Sequence, residues 1–409
     1  MISTDHDQER VILVAAAVGS YEDAEDSLDE LSELAATAGA AAVGRVIQNL
    51  DRIHPGTYIG TGKIEEVRSL LYAYNATGVI CDDELSPAQL GNLEHELDCK
   101  VMDRTLLILD IFAQRAQTSE GKIQVELAQL RYRASRLVGL RASLSRLGGG
   151  IGTRGPGEKK LEMDRRLIRS RISALKEELE NVERHRTLLR THRKSGTQKT
   201  AAIVGYTNAG KSSLLNRLTD AGILAEDKLF ATLDPTTRVM NLPDGQSILL
   251  TDTVGFIRKL PHHLVEAFKS TLEEAVFADY LIHVVDASNP QAQLQMQVVY
   301  DTLRELKALG KPVITLLNKQ DLGGLSLHDP MADHVIKFSV KTGLGTEQLE
   351  KTLMDLVNDG MILIERLIPY TDGQKLALAR DTGKLLQEEY TPEGIRMKAL
   401  VPREIYGRI

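Results

Sequence analysis

Eight consecutive residues in the middle of the chain combine the residue types and the spacing that bind phosphate. They follow the pattern G-x-x-x-x-G-K-S, in which glycines let backbone N–H groups approach phosphate oxygens. A helix starting at this loop directs its positive end at the same anion, Lys211 adds a cation, and Ser212 offers a hydroxyl to Mg2+. The pattern predicts a loop for a nucleoside triphosphate and Mg2+, formed by Gly205, Tyr206, Thr207, Asn208, Ala209, Gly210, Lys211 and Ser212.

A second motif favours guanine over adenine. Asp321 ends the tetrapeptide Asn-Lys-Gln-Asp and can accept hydrogen bonds from guanine N1–H and N2–H2, a paired donor edge that adenine lacks. Asn318 can bridge the base and the phosphate loop, and the aliphatic stem of Lys319 can lie over the ring. A later segment can close over the base by backbone contacts. The predicted site for GTP and GDP therefore includes Asn318, Lys319, Gln320, Asp321, Ser339, Val340 and Lys341.

Two further segments have the composition of nucleotide-dependent switches. In Asp252-Thr253-Val254-Gly255, Asp252 is placed to hold Mg2+ through water, and the Gly255 N–H can reach the γ phosphate. The other segment should supply a threonine for Mg2+; we favour Thr232, with Thr236 and Thr237 as alternatives. Its predicted GTP contacts are Phe230, Ala231, Thr232, Leu233 and Asp234. The candidate catalytic residues are Lys211, Thr232 and Gly255.

The residue after Gly255 departs from the usual arrangement. Many GTPases place a glutamine there to orient the attacking water, whereas this chain has Phe256. A phenyl ring can neither donate nor accept the required hydrogen bonds. We therefore expect slow hydrolysis by the protein alone and stimulation by a partner.

The elements around these motifs predict an α/β chain with several domains. We expect a small α/β domain over residues 1–118, a long antiparallel helical hairpin over 119–195, and a P-loop GTPase domain over 196–358. The GTPase domain should hold a mainly parallel, doubly wound sheet, because strands at 200–204, 247–251, 281–285, 312–317 and 335–339 alternate with helices. Residues 359–409 predict a small α/β tail domain of strand, helix and strand, with the helix over about residues 373–389.

Charge is distributed unevenly along the chain. Residues 1–100 carry 6 Lys/Arg and 19 Asp/Glu, whereas residues 120–194 carry 19 Lys/Arg and 9 Asp/Glu. A basic segment of this kind indicates a polyanionic partner such as RNA, although a solvated helical surface is the alternative. The tip, residues 148–157, contains six glycines and cannot be helical. It is either a probe for nucleic-acid backbone or a simple connector; the candidate contacts are Gly149, Arg154, Lys159 and Lys160.

Composition excludes some other classes. No apolar run approaches the roughly 20 residues that span a bilayer, and the polar, acidic residues 1–10 do not form a signal peptide. Cys81 and Cys99 make neither a disulfide framework nor a metal site, so we expect buried thiols and a cytoplasmic protein. Residues 54–63 resemble a phosphate loop, but the spacing from Gly56 to Gly62 is one residue too long and Ile64 replaces Ser/Thr. An anion-binding loop, or a second nucleotide site for ATP, remains an alternative there.

The motifs together resemble the HflX family of translation-factor-class GTPases. The similarity covers the phosphate loop, the segment beginning at Phe230, the D-T-V-G-F-I segment and N-K-Q-D, and about residues 10–360 overall. Outside the GTPase motifs it includes residues 58–63, 86–89, 103–105, 111–116 and 149–158.

The resemblance implies a ribosome-associated GTPase that binds the large (50S) subunit and splits or rescues stalled ribosomes. In the family the glycine-rich tip reaches toward the peptidyl-transferase centre, which implies contact with 23S rRNA. Asn208 occupies the place where similar K+-dependent GTPases bind K+, so K+ is a candidate cofactor beside Mg2+, unless the asparagine only braces the loop. We expect a monomer with no DNA partner. An assembly factor or RNA chaperone, and a signalling GTPase with a protein partner, are the alternatives.

Overall fold

A computed structural model describes residues 8–147, 156–194, 198–219, 229–230, 232–261, 264, 269–402 and 405–407. The chain forms two compact units. The first comprises Met1–Val182 with the short segments Asp227–Leu233 and Lys259–Lys269; the second comprises Glu183–Glu226, Asp234–Arg258 and Ser270–Ile409. None of the helices in the described part of the chain is long and apolar enough to cross a membrane.

The first unit contains a parallel sheet of four strands in the order β2-β1-β3-β4. The central strand β1 is buried at seven of its eight positions, as expected for a parallel strand covered on both faces. The strands are β1 (Arg10–Ala17), β2 (Ala41–Asn49), β3 (Gly78–Cys81) and β4 (Lys100–Asp103). The helices between and after them are α1 (Tyr21–Thr37), α2 (Thr61–Ala73), α3 (Pro87–Leu97) and α4 (Arg104–Arg115).

Local sequence explains where these helices begin. The Ser20 side chain accepts a hydrogen bond from the Asp23 N–H at the start of α1. Helix α3 begins with a capping box between Ser86 and Gln89, with proline in the first turn. Asp103 caps α4 by accepting from the Leu106 N–H. Each cap satisfies a backbone donor that the helix itself cannot pair.

Two long helices, α5 (Ser119–Leu147) and α6 (Pro156–Lys194), form the middle of the chain. Ile123 and Leu127 of α5 pack with Leu175 of α6 in one buried cluster. Near the middle of α5, Tyr132 Oη donates to Asp103 Oδ1 over 2.9 Å, and Arg136 pairs with the other carboxylate oxygen at 2.5 Å. The middle of α5 is thus bonded to the end of β4.

The second unit contains a six-stranded sheet in the order β10-β9-β8-β5-β7-β6. All neighbouring pairs are parallel except β6 with β7, which confirms the predicted mainly parallel GTPase sheet. The antiparallel edge strand β6 was not expected from the sequence. The strands are β5 (Lys199–Gly205), β6 (Thr236–Asn241), β7 (Ser247–Asp252), β8 (Tyr280–Asp286), β9 (Val313–Asn318) and β10 (His334–Lys337). The helices are α7 (Lys211–Thr219), Lys269–Phe277, Ala292–Glu305 and Thr346–Asp359.

The C-terminal residues form a three-stranded antiparallel sheet in the order β11-β13-β12, with one helix, Gly373–Thr382. Its strands are β11 (Met361–Ile368), β12 (Lys384–Thr391) and β13 (Gly394–Pro402). The expectation of a helix to residue 389 is wrong, because Gly383 is extended and ends it. A Cβ on Gly383 would stand 2.5 Å from the Leu400 carbonyl oxygen, so a side chain would clash at this position. Strand β12 begins at the next residue and pairs with β13.

Candidate nucleotide-binding site

The phosphate-binding loop joins β5 to α7, and two of its glycines have backbone conformations that other residues rarely adopt. Gly205 has φ +153°, and a Cβ there would lie 2.3 Å from the Val284 carbonyl oxygen. Gly210 has φ +101°, and its Cβ would lie 2.5 Å from Asn318 Nδ2. Asn208 is also left-handed, with φ 59°. The glycine spacing is therefore required by close approach between the loop and the strands β8 and β9.

Lys211 is buried at the start of α7, and its Nζ donates to the Tyr206 carbonyl oxygen over 2.7 Å. Burial lowers the pKa of this lysine to about 8, although the nearby Asp252 carboxylate acts in the opposite direction. Ser212 Oγ donates to Asp252 Oδ2 over 2.7 Å. A hydroxyl and a carboxylate side by side are the hard oxygen donors that Mg2+ prefers, so the residues present fit that ion.

The residues after Gly255 are hydrogen-bonded to the phosphate-binding loop. Thr207 N–H donates to the Phe256 carbonyl oxygen over 2.8 Å, and Phe256 N–H donates to the Gly205 carbonyl oxygen over 3.1 Å. Arg258 N–H donates to Tyr206 Oη over 2.8 Å. The Phe256 side chain is buried, 2% exposed. Sequence reasoning missed these bonds, because the pattern identifies the two segments but not how their backbones meet.

The guanine motif lies beside the same loop. Asn318 Nδ2 donates to the Ala209 carbonyl oxygen over 2.8 Å, while Asn318 Oδ1 accepts from the Val340 N–H over 3.0 Å. Ser339 Oγ donates to Asp321 Oδ1 over 2.6 Å, and this hydrogen bond lowers the pKa of Asp321. Asp321 is therefore a carboxylate at neutral pH, the form that can accept two hydrogen bonds from guanine.

Asp286 is a site residue that sequence reasoning missed. It ends β8 and pairs through Oδ2 with Lys319 Nζ at 2.7 Å, while its Oδ1 accepts from the N–H and the hydroxyl of Ser288. Lys319 has φ 63°, and the ion pair fixes the direction of its stem. A signal was present: Asp286 follows an apolar run, as Asp252 and Asn318 do. All three polar residues end parallel strands at one edge of the sheet, with β8 and β9 adjacent and β7 on the other side of β5.

The first switch segment is divided between the two units. Thr232 and Leu233 belong to Asp227–Leu233 in the first unit, where Phe230 packs edge-on against Phe112 with ring centroids 4.7 Å apart. Ala231 lies outside the described residues, and Asp234 belongs to the second unit.

The two alternative threonines begin β6 in the second unit. Thr236 is opposite Asp252 in the β6–β7 ladder. The hydroxyls of Thr237 and Thr251 are hydrogen-bonded at 2.9 Å. The sheet therefore already uses the Thr237 hydroxyl, and the choice of Thr232 stays a prediction.

A buried charge cluster lies at the end of β3 in the first unit. Arg104 bonds Asp82 at 2.9 Å and Glu30 at 2.7 Å. Lys259, from the segment Lys259–Lys269, pairs with Asp82 and with Asp83. Burial alone would raise the pKa of Asp82, but the charges of Arg104 and Lys259 hold it below its ordinary value.

The remaining sequence candidates lie in the first unit. Gly149 and Arg154 are outside the described residues, whereas Lys159 and Lys160 lie within α6. In the loop that resembles a phosphate loop, the Tyr58 side chain is buried, and its Oη donates to Asp83 Oδ2 over 2.6 Å. That tyrosine fills space against the sheet; an anion-binding loop or a second nucleotide site stays an untested alternative there.

Three family models match successive parts of the chain. One described as GTP-binding GTPase N-terminal covers residues 25–113. One described as GTP-binding GTPase Middle Region covers residues 115–193. One described as 50S ribosome-binding GTPase covers residues 200–319.

Individual relatives match over almost the whole length. A protein named GTPase HflX from Lacrimispora saccharolytica is 62% identical over 411 residues, which cover 100% of this chain and 97% of that protein. A GTPase HflX from Caldanaerobacter subterraneus subsp. tengcongensis is 50% identical, covering 98% of this chain and 93% of that protein. A GTP-binding protein from Sulfolobus solfataricus, solved in complex with GDP, is 26% identical with a TM-score of 0.46, covering 86% of this chain and 99% of that one.

Proposed function

Because the chain belongs to the HflX family of ribosome-binding GTPases, we propose that it couples GTP binding and hydrolysis to the splitting or rescue of stalled ribosomes through the 50S subunit. The observation that carries this proposal is the chain order. A guanine-nucleotide site directly follows a hairpin with 19 basic and 9 acidic residues over positions 120–194. Such a surface suits the phosphate backbone of rRNA.

In the proposed cycle, each site residue has one task. The loop Gly205–Ser212 holds the phosphates with its backbone, Lys211 places its ammonium on the β and γ phosphates, and Gly255 donates its N–H to the γ phosphate. Asp321 and Asn318 select guanine. Mg2+, held by Ser212 and through water by Asp252, would neutralise charge that develops on the phosphates.

Hydrolysis by the free protein should be slow, and the ribosome should accelerate it. Phe256 stands where many GTPases have a glutamine, and its side chain is buried with its backbone bonded to the phosphate-binding loop. K+ beside Asn208 would offset transition-state charge. Comparing the hydrolysis rates in KCl and NaCl tests this: equal rates contradict a role for K+.

The basic hairpin is the part that we propose to contact 23S rRNA, through Gly149, Arg154, Lys159 and Lys160. Contacts to rRNA phosphates make binding strongly salt-dependent, whereas a purely protein partner does not impose that dependence. A monomer in the cytoplasm, where ribosomes work, suffices for this task.

Sedimentation with 50S subunits, 30S subunits and 70S ribosomes tests the proposal in the presence of GDP or a non-hydrolysable GTP analogue. We expect binding to 50S subunits that is tighter with the analogue, and light scattering should show that 70S ribosomes separate. Replacing Arg154, Lys159 and Lys160 together by glutamate should weaken 50S binding while GTP affinity is kept. The matched control replaces the exposed residues Arg304, Lys307 and Lys337 together by glutamate, and this variant should bind 50S subunits as tightly as the original protein.

Two outcomes would redirect the proposal. Binding only to incompletely assembled 50S particles, with no separation of 70S ribosomes, would favour an assembly factor or RNA chaperone. Absence of any ribosomal binding that depends on the nucleotide would contradict the ribosomal role altogether.

A further inference from the structure

The nucleotide site lacks the usual group that orients the attacking water, and Phe256 is held where it cannot act. Its side chain is 2% exposed. Its N–H and its carbonyl oxygen are both bonded to the phosphate-binding loop. Turning the phenyl ring out of the core would expose apolar surface, and the ring could still neither donate nor accept the required hydrogen bonds, so another group must contact the water.

One hydroxyl in the loop has no assigned role. Thr207 is 6% exposed, and its Oγ1 finds no hydrogen-bond partner among the residues that the structure describes. Buried hydroxyls are normally bonded to protein, water or a ligand, so an exception in a site that binds a ligand points to that ligand. The Thr207 N–H is already bonded to the Phe256 carbonyl oxygen, which fixes the peptide and the origin of the side chain.

The surroundings of Thr207 place it at the γ-phosphate end of the site. A Cβ on Gly255 would lie 2.9 Å from the Thr207 Cγ2 and also 2.9 Å from Lys211 Nζ. Thr207 thus lies against the glycine whose N–H we expect to bind the γ phosphate, beside the lysine expected to bind the same group. These three residues all belong to the second unit.

We propose that Thr207 is a catalytic residue, whose hydroxyl accepts a hydrogen bond from the attacking water and donates one to a γ-phosphoryl oxygen. The water oxygen forms a bond to the γ phosphorus while the bond to the β,γ-bridging oxygen breaks. GDP leaves with that electron pair, and the proton of the water passes to the phosphate. The threonine is unchanged, so no further reactant is needed.

A hydroxyl suits this position because it can accept and donate at the same time, as the amide of a glutamine does. It is also preorganised, since the backbone bond to Phe256 and the contact with Gly255 hold it before GTP arrives. The phenylalanine therefore contributes indirectly, by fixing the residue that replaces the glutamine.

Single-turnover GTP hydrolysis by the full-length protein, with and without 50S subunits, tests the assignment. Thr207→Val keeps the shape and removes the hydroxyl; we expect hydrolysis to slow about 10- to 100-fold, the effect of losing one hydrogen bond to a charged group in the transition state. GDP affinity should stay within about twofold and the melting temperature should not fall, because the hydroxyl has no partner in the folded chain. Thr207→Ala should show the same loss of rate.

Two variants complete the experiment. Thr207→Ser should recover most of the rate, which a merely space-filling role would not predict. Thr302→Val, which removes a hydroxyl bonded to the Val298 carbonyl oxygen on a helix, should hydrolyse GTP at the original rate. Unchanged hydrolysis by Thr207→Val, failure of Thr207→Ser, or an equal loss of GDP affinity would overturn the assignment. The measurement without 50S subunits separates this outcome from any failure of the ribosomal proposal.

Discussion

The buried Lys211 ammonium makes nucleotide affinity depend on pH in a calculable way. Burial lowers its pKa to about 8 in the protein without nucleotide. Phosphates favour the ammonium, so bound GDP or GTP should restore a value near the ordinary one of about 10.4. Nucleotide therefore binds the protonated lysine, and affinity should fall as the pH rises above 8.

The magnitude follows from the protonated fraction. With a pKa of about 8, roughly 90% of Lys211 is charged at pH 7 and about 25% at pH 8.5, so affinity should fall about fourfold. Titrations with fluorescent GDP between pH 7 and 8.5 measure this decrease in affinity. These pH values lie below the pH at which guanine N1 loses its proton, so ionisation of the base does not account for it. Calorimetry in two buffers of different ionisation heat should detect uptake of about 0.7 proton at pH 8.5 and about 0.1 at pH 7.

The stability of the nucleotide-free protein should change in the opposite direction. The folded pKa lies below the unfolded one, so the unfolded chain binds more protons between about pH 8 and 10.5, and the contribution of Lys211 to the free energy of unfolding rises with pH across that window. Below pH 8 the burial of this charge costs about 3 kcal/mol. Flat GDP affinity between pH 7 and 8.5 without proton uptake, or a Lys211→Arg variant with the same pH dependence, would refute the reasoning.

Three substitutions probe other contacts. Arg104→Met leaves the buried Asp82 carboxylate without its main partner and should lower the free energy of unfolding in urea by about 3–5 kcal/mol; a change below about 1 kcal/mol would contradict this. Asp286→Asn removes the ion pair that holds the Lys319 side chain and should weaken GTP binding about three- to tenfold, while the hydrolysis rate of bound GTP stays unchanged. An equal decrease in the hydrolysis rate would contradict a role in base binding alone. Burial lowers the pKa of His283 to about 4 despite Asp329, so stability should fall as the pH drops from 6.5 toward 4, and His283→Gln should fall less steeply.

The parts of the site that depend on local geometry could be predicted from sequence. The phosphate-binding loop needs its glycines because Gly205 and Gly210 have positive φ and lie against β8 and β9. The alternation of strands and helices predicts a parallel sheet, and the carboxyl ends of parallel strands meet at one edge. The family similarity covers the whole chain, so it assigns the regions outside the nucleotide site to the same family.

The parts that depend on contacts between distant segments could not be predicted. The ion pair of Asp286 with Lys319 joins the ends of two strands, and no spacing rule links those positions. The buried hydroxyl of Thr207 becomes visible only when every nearby donor and acceptor is placed. In the tail, helical propensity favoured a continuous helix, but the contact of Gly383 with β13 converts its second half into a strand.

Asp103 also sets a mechanical property of the chain. Its carboxylate holds Tyr132 and Arg136 on α5, while it caps α4 and accepts from the Leu85 N–H. From Tyr132 to the end of α5 at Leu147 the helix extends about 22 Å, at 1.5 Å per residue. A tilt of α5 by about 10° about Tyr132 would displace its far end by about 4 Å, which is more than the length of a hydrogen bond. The contacts of one buried carboxylate therefore limit how precisely the far end of α5 is positioned.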